Sequence, residues 1–183
     1  MMIDTVLRRL ADLESALAEL YEWYSEVLWA DAEAVYVYLR MSREEKGHVR
    51  LVDYQRGLLQ KDASLSIDVE VDLAGLEALV ERAKALRSGP QLPTVDEALR
   101  ETIGLELSAA EVHYRHALGR VRPEVARLLE ALGEEDRLHL ERIQNMVRLR
   151  RVVVPPPPVT RSAAYRPGHS LQSTLVELRA DRA

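Results

Sequence analysis

The chain has no cysteine. Disulfides, iron–sulfur clusters, thiolate zinc sites and thiol catalysis are therefore excluded, and any bound metal must be held by carboxylates, histidines or both. No stretch of 18 apolar residues occurs, so no transmembrane span is expected. Met1 to Leu10 carries charges and no apolar run, so it does not read as a signal peptide. Basic excess is also missing. The net charge of −5 argues against a general nucleic-acid binder. Glycine and proline number only eight each in 183 residues, and they cluster: Gly89, Pro90 and Pro93; Gly119 and Pro123; and Pro155 to Pro158. What remains is 47% hydrophobic and 30% charged, enough apolar surface for a packed core. These features point to a soluble, cytoplasmic, helical protein.

Between the breaks the chain is rich in Ala, Leu, Glu and Arg, all strong helix formers. Leu10, Leu13, Leu17, Leu20, Tyr24, Val27 and Leu28 recur at helical spacing and predict a first helix over Asp4 to Trp29. A second is expected from Ala32 to Gln60, with Asp31 as its N-cap. Residues 61–93 read as a connection, with an extended alternation over Ser64–Asp72 and a short helix near Leu73–Leu86. Thr94-Val-Asp-Glu97 is a capping box that opens a third long helix, ending near Gly119. A fourth follows Pro123 and runs to about Arg151. The expectation is an all-α protein: two antiparallel helical hairpins joined by a long crossover, with the bundle over residues 1–150. That connectivity belongs to ferritin-like four-helix bundles, although pattern alone does not separate it from a cytokine-like bundle.

An internal repeat sharpens the reading. Residues 13–24 are LESALAELYEWY and residues 105–116 are LELSAAEVHYRH. Glu14 precedes His48 by 34 residues, and Glu106 precedes His139 by 33. Each histidine closes a carboxylate-x-x-His pair, Glu45 with His48 and Asp136 with His139. Residues three apart share a helix face. The midpoints of the two halves fall at the turn near residue 31 and beside Pro123, so each hairpin sets its Glu level with its pair. Six ligand-type side chains thereby converge at mid-bundle. A Glu from each of two helices and a Glu-x-x-His from each of the other two is the inward-pointing set of di-iron and di-manganese carboxylate bundles. Two divalent cations cancel four buried carboxylates that would otherwise be strongly unfavourable.

With Leu13-Glu14, Tyr21 and Tyr24, Glu44-Glu45-Lys-Gly-His48, Leu105-Glu106 with Tyr114, and Glu134-Glu135-Asp136-Arg-Leu-His139, residues 5–150 resemble the rubrerythrin-like branch of the ferritin-like superfamily. The resemblance implies a ferroxidase or a peroxide- or oxygen-reducing oxidoreductase. It implies two iron ions, with manganese as the alternative, held by Glu14, Glu45, His48, Glu106, Asp136 and His139. Asp136 stands where the pattern has Glu, and its reach is shorter by about 1.5 Å. Glu135 shares that face four residues before His139 and is the alternative ligand. Tyr21 is a candidate catalytic residue, seven after Glu14, donating a hydrogen bond near the metals or packing in the core. Full rubrerythrins carry a cysteine-ligated iron domain that delivers electrons. This chain lacks cysteine, so a peroxidase reading needs a separate electron donor.

The competing reading is a non-enzymatic helical module, for assembly or partner binding, with a degenerate metal site. Taken singly, Glu14, Glu45 and Glu106 read as ordinary solvated helix residues and His48 and His139 as surface histidines. Trp23 and Trp29 read as packing residues, tyrosines 21, 24, 36, 38, 54 and 114 mostly as core, and His113 as a packing or supporting residue. Residues 151–183 form a distinct tail, +3 against −8 for residues 1–150. Four prolines make it an extended spacer. Beyond it Leu171, Leu175 and Leu178 lie at i, i+4, i+7 on one side of a short stripe; the tail reads either as a disordered terminus or as an anchor docking on a neighbouring subunit of a homo-oligomer or on a partner.

Overall fold

The computed structural model describes residues 3–60, 73–108 and 123–154, with side chains in the last segment from Arg137 onward. The described residues are all-helical. Five helices occur in the order α1 (Ile3–Val27), α2 (Ala32–Gln60), α3 (Leu73–Arg87), α4 (Val95–Ser108) and α5 (Pro123–Arg150), all within a compact unit over Met1–Val153. The expected extension of the third long helix to Gly119, with His113 and Tyr114, lies outside the described residues. So do the Ser64–Asp72 alternation and the tail from Pro155.

Helix α1 ends at Val27, two residues short of the expected Trp29, and Leu28 and Asp31 close the turn through backbone bonds to Tyr24 and Leu28 carbonyls. Trp29 is thereby left in the turn and 79% exposed, so it is not a packing residue. Tyr36 and Tyr54 are also exposed on α2, whereas Tyr21, Tyr24 and Tyr38 are core. Asp31 starts α2 by accepting the Ala34 amide at 3.0 Å. The Thr94 hydroxyl and the Glu97 carboxylate exchange bonds with each other's amides, at 3.3 and 2.8 Å, and start α4. Helix α5 stops in a Schellman arrangement. Val152 N–H reaches the Val147 carbonyl, Arg151 N–H reaches that of Arg148, and Arg151 takes a left-handed φ of 54°.

Helix α1 packs along α2 and against α3; α5 packs on both α2 and α4. The core they enclose is mostly aliphatic, including Leu7, Leu10, Leu13, Leu20, Leu99, Ile103 and Ile143. Polar bonds fix the heights of the helices. Tyr38 on α2 pairs with Thr102 on α4 at 3.2 Å. At one end of the bundle, Arg150 of α5 grips both Asp31 oxygens, at 2.7 and 2.8 Å.

Asp31 therefore caps one helix and anchors another. Asp31→Ala is expected to destabilise the fold by about 1–2 kcal/mol, the upper range for loss of a cap. Asp31→Asn, which keeps a capping oxygen, should cost less. Urea unfolding of the three proteins checks this; an unchanged midpoint for the alanine variant would contradict the anchoring role.

Candidate metal centre

Glu14 on α1, Glu45 and His48 on α2, Glu106 on α4 and His139 on α5 meet inside the bundle, all of them buried. Glu45 is 1% exposed and His139 fully enclosed, so the solvated-helix and surface-histidine readings do not hold for this set. Helical spacing explains the convergence. Glu45 lies one turn from His48, on the face that also buries Tyr38, Met41 and Val52.

The ligand-type atoms form two groups, Glu14–Glu45–His48 and Glu45–Glu106–His139, and within each group they lie within 4.8 Å of one another. Glu45 belongs to both. One of its oxygens accepts a hydrogen bond from His48 Nδ1 at 2.9 Å, and the other lies 3.0 Å from His139 Nδ1. Glu14 Oε2 is 3.5 Å from His48 Nδ1. The two imidazoles stack with centroids 5.7 Å apart. Tyr21, fully buried, donates its hydroxyl to Glu106 Oε1 at 2.6 Å. Helix α5 carries Glu135 and Asp136, but their side chains fall outside the described ones. An open cleft of about 600 Å³ between α1 and α3, lined by Arg9, Glu19, Glu77 and Lys84 among others, contains none of these ligands.

Sequence reasoning overlooked Glu44. Its carboxylate accepts from His139 Nε2 at 2.9 Å and from Arg40 Nε at 2.9 Å, and it also pairs with Arg142. The signal was present in the sequence. Arg40 precedes Glu44 by one helical turn, and Arg142 follows His139 by three residues, so two cations flank an acid at the level of the histidine. By holding the Nε2 proton, Glu44 fixes the ring and turns Nδ1 inward. Although Glu45 is near, His139 Nδ1 makes no aligned hydrogen bond and is buried unsatisfied. A buried ring nitrogen with no bond of its own, facing a shared carboxylate, is what a metal ligand looks like without its ion.

The electrostatics agree. Burial, reinforced by the charge of Glu45, pushes the Glu14 carboxyl up to about 8 and that of Glu106 up to about 7. Burial would also raise Glu45, but the His139 imidazole close beside it and the bond from His48 hold it well below the ordinary range. Burial opposes charge on the histidines too. The contacts with the Glu14 and Glu45 carboxylates outweigh it at His48, raised to about 11, and the bond to Glu44 with the nearby Glu45 carboxylate outweighs it at His139, raised to about 10. Glu44 is lowered to about 2 as its bonds to His139, Arg40 and Arg142 overcome burial. Protons thus occupy the places that cations would take at neutral pH: mostly on Glu14 and both imidazoles, and in part on Glu106.

Comparison with family models, curated proteins and solved structures finds no match. The functional reading rests on the site itself.

Proposed function

We propose that this chain is a di-metal carboxylate protein of ferritin-like architecture, binding two iron ions, or manganese, and acting as a ferroxidase or as a peroxide- or oxygen-reducing oxidoreductase. The carrying observation is the pair of buried three-ligand groups that share Glu45. Helix directions support the architecture. Tyr38 and Glu45 along α2 meet Thr102 and Glu106 in the same order along α4, so these two helices run parallel across the crossover. By contrast, Asp31 and Glu44 meet Arg150 and His139, so α2 and α5 run antiparallel.

The donor set fits the ions. Hard carboxylates with one imidazole per position suit ferrous and manganous ions. Glu14 and His48 would hold one ion, Glu106 and His139 the other, with Glu45 common to both; Asp136 or Glu135 would complete the second. Bound iron supplies the one-electron changes by which oxygen or peroxide is reduced. The protein's part is orientation and charge. Tyr21 fixes one Glu106 oxygen, Glu44 fixes the His139 ring, and the surrounding leucines keep bulk water from the carboxylates.

Glu44 acts through His139, so Glu44→Gln is expected to weaken metal binding at the His139 position by about 10–100-fold, the usual cost of losing a partner behind a ligand. Competition with a chromophoric chelator reads this, and equal affinities for variant and wild type would contradict it.

Activity is tested by anaerobic ferrous loading followed by oxygen or peroxide. The wild type should oxidise its iron, or consume peroxide, well above the buffer rate, and His139→Ala should not. Rates equal to buffer for both proteins would overturn the enzymatic reading. The alternative, a non-enzymatic partner-binding bundle, draws on one observation. The network is largely closed by its own bonds, Tyr21 to Glu106, His48 to Glu45 and His139 to Glu44, without any ion.

A further inference from the structure

The chain contains seven tyrosines, two tryptophans and no phenylalanine. Every aromatic ring in it is therefore of a readily oxidised kind. Three of the tyrosines, Tyr21, Tyr24 and Tyr38, are among the largest fully buried side chains. Burying a phenolic hydroxyl carries a desolvation cost that phenylalanine avoids, so packing alone does not account for three tyrosines in an otherwise aliphatic core.

Their placement is continuous. Trp23, half-buried at the surface of α1, stands 5.4 Å from Tyr24 between ring centroids. Tyr24 stands 5.0 Å from Tyr38, and Tyr38 5.9 Å from Tyr21. These are separations of rings in contact. Tyr21 then meets the ligand set through its 2.6 Å bond to Glu106. No gap separates the surface from the candidate metal centre.

We propose that Trp23, Tyr24, Tyr38 and Tyr21 form a relay that carries single electrons from a one-electron donor at the surface to the buried carboxylate–histidine site. Its use there rests on the redox reading of that site; ring-to-ring transfer does not. With hydrogen peroxide as the oxidant, one molecule takes two electrons and two protons and leaves as two waters, its O–O bond broken. The electrons come singly. Tyr21 yields one to the site while its phenolic proton shifts along the hydrogen bond to Glu106. Trp23 re-reduces Tyr21 through the contacting rings of Tyr24 and Tyr38, which keep their hydroxyl protons, and the proton on Glu106 returns to the Tyr21 oxygen. The donor, oxidised by one electron, restores Trp23. Every ring ends as it began, and solvent supplies the two protons found in the waters. The relay does for this chain what a cysteine-ligated iron would do, and it places the site among reductases fed from outside.

The test uses metal-free, full-length protein in which Tyr36, Tyr54, Tyr114, Tyr165 and Trp29 are replaced by phenylalanine, so that only the four relay rings are readily oxidised. A ruthenium tris-bipyridyl photo-oxidant, with persulfate as electron acceptor, removes one electron at the surface. Electron paramagnetic resonance of frozen samples reads where the vacancy settles. A tyrosyl signal is expected on Tyr21, whose proton Glu106 accepts, mostly lost with Tyr21→Phe or Trp23→Phe and reduced with Tyr38→Leu, which removes a connecting ring. Flash absorption on the unsubstituted relay reads the same transfer without touching the core: the tryptophanyl band should decay as the tyrosyl band rises. A vacancy that remains on Trp23, or a tyrosyl yield indifferent to Trp23→Phe and Tyr21→Phe, overturns the relay. Metal plays no part in this experiment. A chain that binds no metal would still show the transfer, and a metal-binding chain without transfer would refute the relay alone.

Discussion

Replacing Glu45 by alanine is expected to empty both metal positions at once, whereas His48→Ala should empty only one. The sequence spacing assigns Glu45 to a single position beside His48. The structure shows more: its two oxygens face His48 at 2.9 Å and His139 at 3.0 Å, and it belongs to both three-ligand groups. Its loss would remove the one carboxylate common to both ligand groups. The effect should exceed the roughly 10–100-fold typical of a partner standing behind a ligand. Metal analysis of the desalted variants checks the expectation, with wild type holding two ions per chain, His48→Ala one and Glu45→Ala none. Retention of a tightly bound ion by Glu45→Ala would contradict the shared role.

The second large effect is a pH-dependent gap between metal-free and metal-loaded stability. In the metal-free protein, Glu14 and Glu106 have folded values near 8 and 7 against an ordinary 4.5. His48 and His139 have folded values near 11 and 10 against 6.5. All four are raised. Their stabilisation is fully present below the unfolded values and is lost as pH climbs through the folded ones, because the folded chain holds the extra protons. Glu45 and Glu44 are lowered, so their contribution is present above 4.5 and is lost as pH falls, toward about 2 for Glu44. Metal-free stability should therefore peak near pH 4.5, where the lowered carboxylates are ionised and the raised ones still protonated, and decline from about pH 5 to 9. Metal displaces those protons, and it binds more tightly as they leave. A hundredfold excess over the dissociation constant adds about 2.7 kcal/mol per site, about 5.4 kcal/mol for two, and melting should rise by about 10–20 °C. Melting curves with chelator and with manganous ion at pH 6, 7.5 and 9 check this. The gap should widen with pH; coincident curves at all three values would favour the metal-free module.

Much of this was legible in the residues, for identifiable reasons. Asp31, Thr94 and Pro123 mark helix starts because capping and proline chemistry are local, and the structure places α2, α4 and α5 at those positions. Glu14, Glu45, His48, Glu106 and His139 were legible because a hairpin converts distance from its turn into height, so equal spacing brings residues together. Glu44 was not. It lies beside Glu45 in sequence but about 100° around the helix, and its partner His139 is 95 residues away on a helix whose rotation no local pattern fixes. Sharing of Glu45 was hidden for the same reason. Trp29 misled because hydrophobic bulk suggests burial, whereas the helix ends before it and the turn holds it outward.

Anaerobic titration of the wild-type protein with ferrous ion, followed by desalting and metal analysis, bears most directly on the account. Two buried ligand groups sharing Glu45 predict binding that saturates at two ions per chain, with protons released as Glu14, Glu106 and the two histidines give them up. Desalted protein that retains no iron, at a pH where the fold is intact, would contradict it.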